Sequence, residues 1–204
     1  MASPFRIPIP ASASPLPAPP RTWNLSGLSG RLVELSHHGP GAGLTPAFGL
    51  VLDAQIRGEP TAWVQARPGI FFPPDAAEGG VDLEALAVVR ATDRRTAFRA
   101  ADHLLRSGAF GLVVLDLGPN AIVPTSIQDR LAGLAREHDT AVLAITKKLP
   151  RSPSLGPRVS LRGHGSRRRV DADRFECTVN ILKDKRNRPG WAHGEVCRGP
   201  VGLR

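Results

Sequence analysis

The order of apolar and polar residues predicts an α/β domain in which strands and helices alternate along the chain. The clearest strand is the continuous apolar run FGLVVLDLG at 110–118, a pattern typical of strands that are buried on both faces of a sheet. The clearest helix is 94–106, where Phe98, Leu104 and Leu105 lie on one side. The same patterns predict further strands at 31–36, 61–66, 83–91 and 140–146, and further helices at 45–56 and 125–138. This alternation favours a mostly parallel central sheet flanked by helices.

The pattern changes in the last quarter of the chain. The segments RVSLRG at 158–163 and RFECTVNIL at 174–182 alternate apolar and polar residues, as half-buried antiparallel strands do. A further strand is predicted at 191–197. We therefore expect the parallel core to carry a C-terminal antiparallel extension.

The N-terminal segment differs from the rest of the chain in composition. Residues 1–22 are rich in proline, alanine and serine, and proline both fixes φ and lacks a backbone N–H. We therefore predict a disordered arm at 1–22 and a core domain at 23–204. The arm is interpreted as a linker, and its apolar residues Phe5, Ile7 and Ile9 leave docking on a partner as the alternative.

Composition narrows the class of protein. The hydrophobic content of 41% argues against general disorder, and 204 residues are enough for one domain with a buried core. No apolar run approaches the ~20 residues that a membrane span needs, and the N-terminus lacks a signal-peptide pattern, so we expect a cytoplasmic location and no membrane partner. The spacing of Cys177, Cys197, His164 and His193 matches no zinc motif, so no metal site is expected from them.

The net charge of +9 is concentrated near the C-terminus. Residues 147–188 carry thirteen basic and four acidic residues, so this segment alone accounts for the whole excess. A localised basic field is typical of a surface that meets a polyanion or an acidic protein. A solvated basic face without a partner is the alternative.

The glycine-rich stretch SHHGPGAGLTPA at 36–47 lies between a predicted strand and a predicted helix. It is similar to the phosphate-binding loop GxxxxGK[ST], with Thr45 at the position of the Mg²⁺-binding hydroxyl and Leu44 at that of the lysine. Gly39, Gly41 and Gly43 are candidates to present backbone N–H groups to a phosphate, and Thr45 with Asp116 to hold Mg²⁺. The alternative is that the glycines only make a tight turn and that Asp116 caps a loop.

Three segments together resemble the core ATPase domain of RecA recombinases over about residues 27–203. They are GRLVEL before the loop, VVLD ending a strand at Asp116, and RFECTVNILKDKRNRPGWAHGEV near the C-terminus. The resemblance implies a RecA-like core, but it also exposes two departures. Leu44 replaces the loop lysine, and Arg67 stands where the family has the glutamate that activates water. We therefore expect a protein that has lost ATPase activity and has no catalytic residue. Any residual binding of ATP and Mg²⁺ would not lead to hydrolysis.

The resemblance also points to DNA and to a subunit interface. The family places its DNA loops after the strand of Asp116 and after the next strand, where this chain has the basic residues Lys147, Lys148 and Arg151. A second cluster, predicted to lie in a turn between two antiparallel strands, consists of Arg167, Arg168 and Arg169. Both suit contacts to single-stranded DNA phosphates, although the lack of Tyr and the few aromatics predict weak base stacking.

A further pair of basic residues, Lys183 and Lys185, matches the paired lysines that in RecA reach a neighbour's nucleotide across the filament interface. Ordinary exposed lysines at a strand end are the alternative.

A RecA-like core without its ATPase residues resembles the ImuA group of accessory proteins. This resemblance implies an adaptor in the DNA damage (SOS) response that partners an inactive Y-family polymerase homologue, ImuB, and an error-prone C-family polymerase in translesion synthesis. Two rivals stay open. One is a regulator that caps RecA filaments through Lys183 and Lys185, and the other is a divergent RecA paralogue that still hydrolyses ATP.

Overall fold

The computed structural model describes residues 23–39, 41–66 and 71–198, so the predicted arm at 1–22 and Arg67 lie outside the described residues. The helices are α1 (Leu25–Leu28), α2 (Leu44–Ile56), α3 (Pro73–Glu78), α4 (Arg94–Arg106) and α5 (Thr125–Glu137). The strands are β1 (Arg31–His37), β2 (Thr61–Gln65), β3 (Leu86–Arg90), β4 (Leu112–Pro119), β5 (Ala141–Lys147), β6 (Leu161–Arg169), β7 (Arg174–Asp184) and β8 (Ala192–Arg198).

All eight of these strands form one sheet in the order β3-β2-β4-β5-β1-β6-β7-β8. The pairs from β3 through to β6 are parallel, and the β6–β7 and β7–β8 pairs are antiparallel. The predicted α/β class, with a mostly parallel sheet and a C-terminal antiparallel extension, is confirmed.

The prediction for β6 was right in part. The strand is antiparallel to β7, as predicted, but it also runs parallel to β1, so its first five residues are buried between two strands. The prediction that the three arginines at 167–169 lie in a turn was wrong, because β6 continues to Arg169. The turn lies at 170–173, where Val170 N donates to Arg174 O at 2.9 Å. An alternating pattern reports how a strand is buried but does not identify the strands on either side of it, which is why the parallel pairing with β1 was not predicted.

The core has two apolar layers, one on each face of the sheet. On the face of α1, α2 and α3, the rings of Phe48, Trp63 and Phe71 pack with centroids 5.2–5.9 Å apart. The other layer lies under α4 and α5 and includes Phe98 and Leu131. Strand β4 is buried from Leu112 to Gly118 because its side chains enter both layers, as its continuous apolar run predicts.

A buried ion pair joins the parallel core to the antiparallel extension. Arg31 at the start of β1 donates from Nη2 to Asp184 Oδ1 at the end of β7 over 2.6 Å, and the two side chains are 2% and 0% exposed. Arg31 Nε also donates to Ser160 Oγ at 2.9 Å, while Asp184 accepts from Arg186 N at 3.0 Å. Burial opposes ionisation of Asp184, but these hydrogen bonds outweigh it and lower its pKa.

Removal of one partner of this pair should destabilise the fold strongly. Asp184→Ala leaves the Arg31 guanidinium buried and unpaired, so we expect the free energy of unfolding to fall by about 3–5 kcal/mol in denaturant titrations. The double variant Arg31→Met with Asp184→Leu should recover most of this loss. Arg57→Ala, which breaks the exposed pair with Asp53, should cost less than about 1 kcal/mol. If Asp184→Ala lowered the free energy of unfolding as little as Arg57→Ala does, the structural role of the buried pair would be contradicted.

Candidate functional site

The glycine-rich loop connects β1 to α2 at the carboxyl end of the parallel strands. Gly43 directly precedes α2, and no side chain caps the first N–H groups of the helix. The backbone N–H and the hydroxyl of Thr45 both point back to Gly41 O, at 3.4 and 3.3 Å. Gly39 and Gly41 have φ values of +95° and +71°, which favour glycine. The loop glycines and Thr45 are therefore brought together at an uncapped helix N-terminus.

The residue at the lysine position faces the protein interior. The Leu44 side chain is half-buried and packs against the core layer below α2, so this side chain supplies neither a charge nor a hydrogen-bond donor to the loop. Two side chains of the chain itself lie against Gly41 and Gly43, whereas the space at Gly39 is open. A Cβ atom on Gly43 would lie 2.5 Å from the His37 ring, and one on Gly41 would lie 2.6 Å from Arg167 Nη1. Burial lowers the pKa of His37.

Arg167 reaches the loop because β6 runs alongside β1. Gly165 of β6 lies so close to the Ala42 carbonyl that any side chain there would collide with it. The guanidinium carbon of Arg167 lies 3.7 Å from the centre of the Phe175 ring, and its Nε is buried with no hydrogen-bond partner in the described part of the chain. Nothing in the local sequence around Arg167 signals this contact, because it depends on which strand β6 pairs with.

The other two arginines of the cluster have different surroundings. Arg168 pairs with Glu176 at 2.7 Å, whereas Arg169 Nη2 donates to Ala172 O at 2.6 Å. Successive strand residues point to opposite faces, so the three arginines do not share one surface. Arg167 and Arg169 lie on the Phe175 side of the sheet.

Asp116 is 1% exposed on β4, and β5 separates it from the strand that leads into the loop. Neither of its carboxylate oxygens has a hydrogen bond of normal geometry among the described residues. Burial raises the pKa of Asp116 to about 6, and the nearby Gly118 N–H offsets part of this rise. Its neighbour Gln65 on β2 also has an unpartnered side-chain amide nitrogen. A buried, unpaired carboxylate is chemically suited to hold either a cation or a proton.

A fully buried carboxylate that the sequence analysis missed organises the segment after β5. Glu34, in the middle of β1, accepts hydrogen bonds from Thr146 Oγ1 and Ser154 Oγ at 3.0 Å each and from Leu155 N at 2.9 Å. Lys148 Nζ lies 2.5 Å from Glu34 Oε1. These contacts fix residues 148–157 across the end of the sheet. The signal was an acidic residue inside the apolar run RLVELS.

The basic residues proposed for DNA and for an interface meet this same segment. Lys147 and Arg151 are exposed, whereas Lys148 is half-buried in its ion pair with Glu34. Lys183 Nζ donates to Gly156 O at 3.4 Å, and Lys185 Nζ donates to Pro157 O at 2.5 Å. Both lysines of the predicted interface therefore hold the segment within their own chain.

Residues 23–39, 41–66 and 71–198 contain no group of three or more His, Cys, Asp or Glu side chains placed to hold a metal ion. Cys177 and Cys197 are free thiols. Within the same ranges, no helix is both long and apolar enough to cross a membrane.

Comparison with known proteins supports the same architecture. The chain is 32% identical over 131 residues to protein RecA of Mesorhizobium japonicum, which covers 62% of this chain and 36% of the relative. It is 33% identical to protein RecA of Brucella anthropi and 34% identical to that of Kineococcus radiotolerans, each over 128 residues and 60% of this chain. The chain spans about a third of the length of these curated relatives. No protein-family model matches it. The fold is that of a RecA-like core.

The unpaired Asp116 carboxylate should destabilise the protein at neutral pH. Its pKa of about 6 lies above the ordinary value of 3.8, so the folded state holds the proton more tightly and stability falls as pH rises from about 4 to about 6. Asp116→Asn should therefore raise the free energy of unfolding by about 1–3 kcal/mol at pH 7.5 and change it little at pH 4.

Denaturant titrations of both proteins at the two pH values measure this difference. Asp93, the exposed N-cap of α4, is the matched control because its hydrogen bond to Thr96 N lowers its pKa. Asp93→Ala should lower stability at pH 7.5. An Asp116→Asn variant that is less stable than the parent at pH 7.5 would show that the folded protein stabilises the Asp116 carboxylate, against this prediction.

Proposed function

We propose that this protein is a RecA-like accessory protein that does not hydrolyse ATP and that acts by binding partners in DNA repair by mutagenic translesion synthesis. The observation that carries the proposal is the packing of Leu44 against the core at the position of the loop lysine. The partner class comes from the resemblance to the ImuA group. It comprises an ImuB-like inactive Y-family polymerase, an error-prone C-family polymerase and, in addition, RecA and single-stranded DNA.

The absence of hydrolysis is inferred from what phosphoryl transfer requires. The reaction needs a cation at the transferred phosphate and a residue that orients the attacking water. Leu44 carries no charge, and an arginine at position 67 is a poor general base because it stays protonated. Arg167 lies against Gly41 and His37 lies against Gly43, two of the three loop glycines. Because Leu44 leaves the loop without the lysine that phosphoryl transfer requires, no catalytic step is assigned to ATP or Mg²⁺.

A divergent ATPase is the second candidate, and two observations favour it. Arg167 places a guanidinium at Gly41, where it would carry the charge that Leu44 lacks. The carboxylate of Asp116 is buried and has no hydrogen-bond partner among the described residues, as expected for a group that binds Mg²⁺. The filament-capping alternative has less support, because Lys183 and Lys185 would have to leave the carbonyls of Gly156 and Pro157 to reach a neighbour.

ATP turnover by the purified protein should be undetectable, with or without single-stranded DNA. We would measure phosphate release together with calorimetric titration of ATP in the presence and absence of Mg²⁺. Asp116→Ala and Arg167→Ala serve as controls, because a contaminating ATPase would be unaffected by either change. A rate of ATP hydrolysis that both variants abolish would contradict the proposed accessory function and support the divergent ATPase.

Any binding of single-stranded DNA should be electrostatic and weakened by added salt, since the chain offers cations and few aromatic rings. Replacing Arg167, Arg168 and Arg169 by alanine should lower the affinity. The slope of log K against log salt should shrink by about 1 for each arginine that meets a phosphate. Fluorescence anisotropy with a labelled oligonucleotide measures both effects. Arg106→Ala, on the exposed side of α4, should leave them unchanged. Binding that persists at high salt would contradict the electrostatic mode.

A further inference from the structure

Two loops at the carboxyl end of the sheet form a single surface. Residues 120–124 follow β4 and residues 148–157 follow β5, and these strands pair as far as Pro119 and Lys147, with a register shift between Asp116 and Gly118. Gln128, which is 2% exposed, joins the loops: its Nε2 donates to Val123 O at 2.8 Å and to Leu155 O at 3.2 Å. We call residues 120–124 and 147–157 together the paired-loop surface.

The paired-loop surface exposes both apolar and basic side chains. Ile122 is 79% exposed and Leu149 is 53% exposed, both far more than a core aliphatic residue. Lys147 and Arg151 are exposed on the same surface, and neither loop contains an acidic residue. Covering exposed apolar area stabilises a complex, and positive charge without a counter-charge attracts negatively charged groups. The surface therefore suits a ligand that combines aliphatic and acidic groups.

The composition favours a protein ligand over a nucleic acid. Three cations near the surface already have partners within the chain: Lys148 is bound to Glu34, Arg162 to Leu149 O, and Lys183 to Gly156 O. Neither loop contains an aromatic residue on which a base would stack. Backbone binding of nucleic acid gains its affinity from many phosphate contacts, whereas Lys147 and Arg151 offer two exposed charges.

The surface is also formed in advance of binding. Glu34 holds residues 148–157 through Ser154 and Leu155 N, and any Cβ on Gly156 would collide with Gln128. A ligand that docks here orders few additional residues, so less of the contact free energy is lost to conformational entropy.

We propose that the paired-loop surface docks an acidic amphipathic segment of a protein partner. Ile122 and Leu149 pack against the aliphatic face of the segment, and Lys147 and Arg151 meet its carboxylates. The inference rests on the proposed function, in which the protein acts by binding partners, and it adds the chemistry of the partner and the place where it binds.

The test uses the full chain and a fluorescently labelled acidic helical peptide, with leucine at every third or fourth position and glutamate elsewhere. A scrambled peptide of the same composition and an oligodeoxythymidylate are the comparison probes. Anisotropy should show at least about tenfold tighter binding of the amphipathic peptide than of the scrambled one, because only the former has a continuous apolar face.

Two pairs of variants locate the site. Ile122→Ser should weaken peptide binding at least about fivefold, whereas Ile56→Ser, equally exposed at the C-terminal end of α2, should not. Arg151→Gln should weaken binding and reduce its salt dependence, whereas Arg106→Gln on α4 should not. All four side chains are at the surface, so the variants should keep the parent's thermal midpoint.

Equal effects of Ile122→Ser and Ile56→Ser would overturn the proposal, as would equal binding of the scrambled peptide. Tighter binding of the oligodeoxythymidylate that Ile122→Ser and Arg151→Gln weaken in the same way would assign the surface to nucleic acid instead. The ATP turnover assay keeps the two hypotheses apart. A protein that hydrolyses ATP and binds the peptide overturns the proposed function alone, and one that does neither overturns the docking proposal alone. A protein that hydrolyses ATP and does not bind the peptide overturns both.

Discussion

The buried carboxylate of Glu34 is the constraint on which the carboxyl end of the sheet depends. A carboxylate in the middle of a central strand would be very unfavourable unless hydrogen bonds and a counter-charge satisfied it. Thr146, Ser154, Leu155 N and Lys148 provide them, and three of these four lie on the segment after β5. The segment must therefore fold over the sheet, and in doing so it turns Leu149 and Arg151 towards solvent.

A second buried charge lies at the start of the same strand. Arg31 pairs with Asp184 where β7 ends, so one strand carries a buried cation near its start and a buried anion three residues later. The two sites act on different parts of the chain. Arg31 holds the antiparallel extension, and Glu34 holds residues 148–157. Lys183 links the two systems, because it lies next to Asp184 and donates to Gly156 O. The basic segment that carries the net charge is thus tied to β1 at both ends.

How far the sequence predicts the structure depends on whether a feature is local. Strand β4 and helix α4 follow from local periodicity, and the sequence locates both to within two residues. Helices α1 and α3 were missed, since four and six residues are too few for a helical period to emerge. The roles of Glu34, Gln128 and Arg167 were missed for a different reason. Each has at least one partner more than two dozen positions away, which only the fold brings close.

The glycine-rich loop shows why a motif alone could not decide the function. Gly39 and Gly41 adopt positive φ, and a side chain at Gly43 would strike His37. The same residues that would cradle a phosphate are thus required by the turn itself, whether or not a nucleotide binds. Leu44 has a structural reason of the same kind, since it extends the core layer below α2.

The feature that distinguishes a simple turn from a nucleotide-binding loop is electrostatic. Arg167 sets a positive charge beside an uncapped helix N-terminus of the same sign, and Phe175 is the one described side chain that offsets it by a cation–π contact. An anion at the loop would relieve this repulsion. If the loop still accepts a nucleotide, Arg167→Ala should weaken its binding. If the loop serves only as a turn, neither the parent nor the variant should bind one.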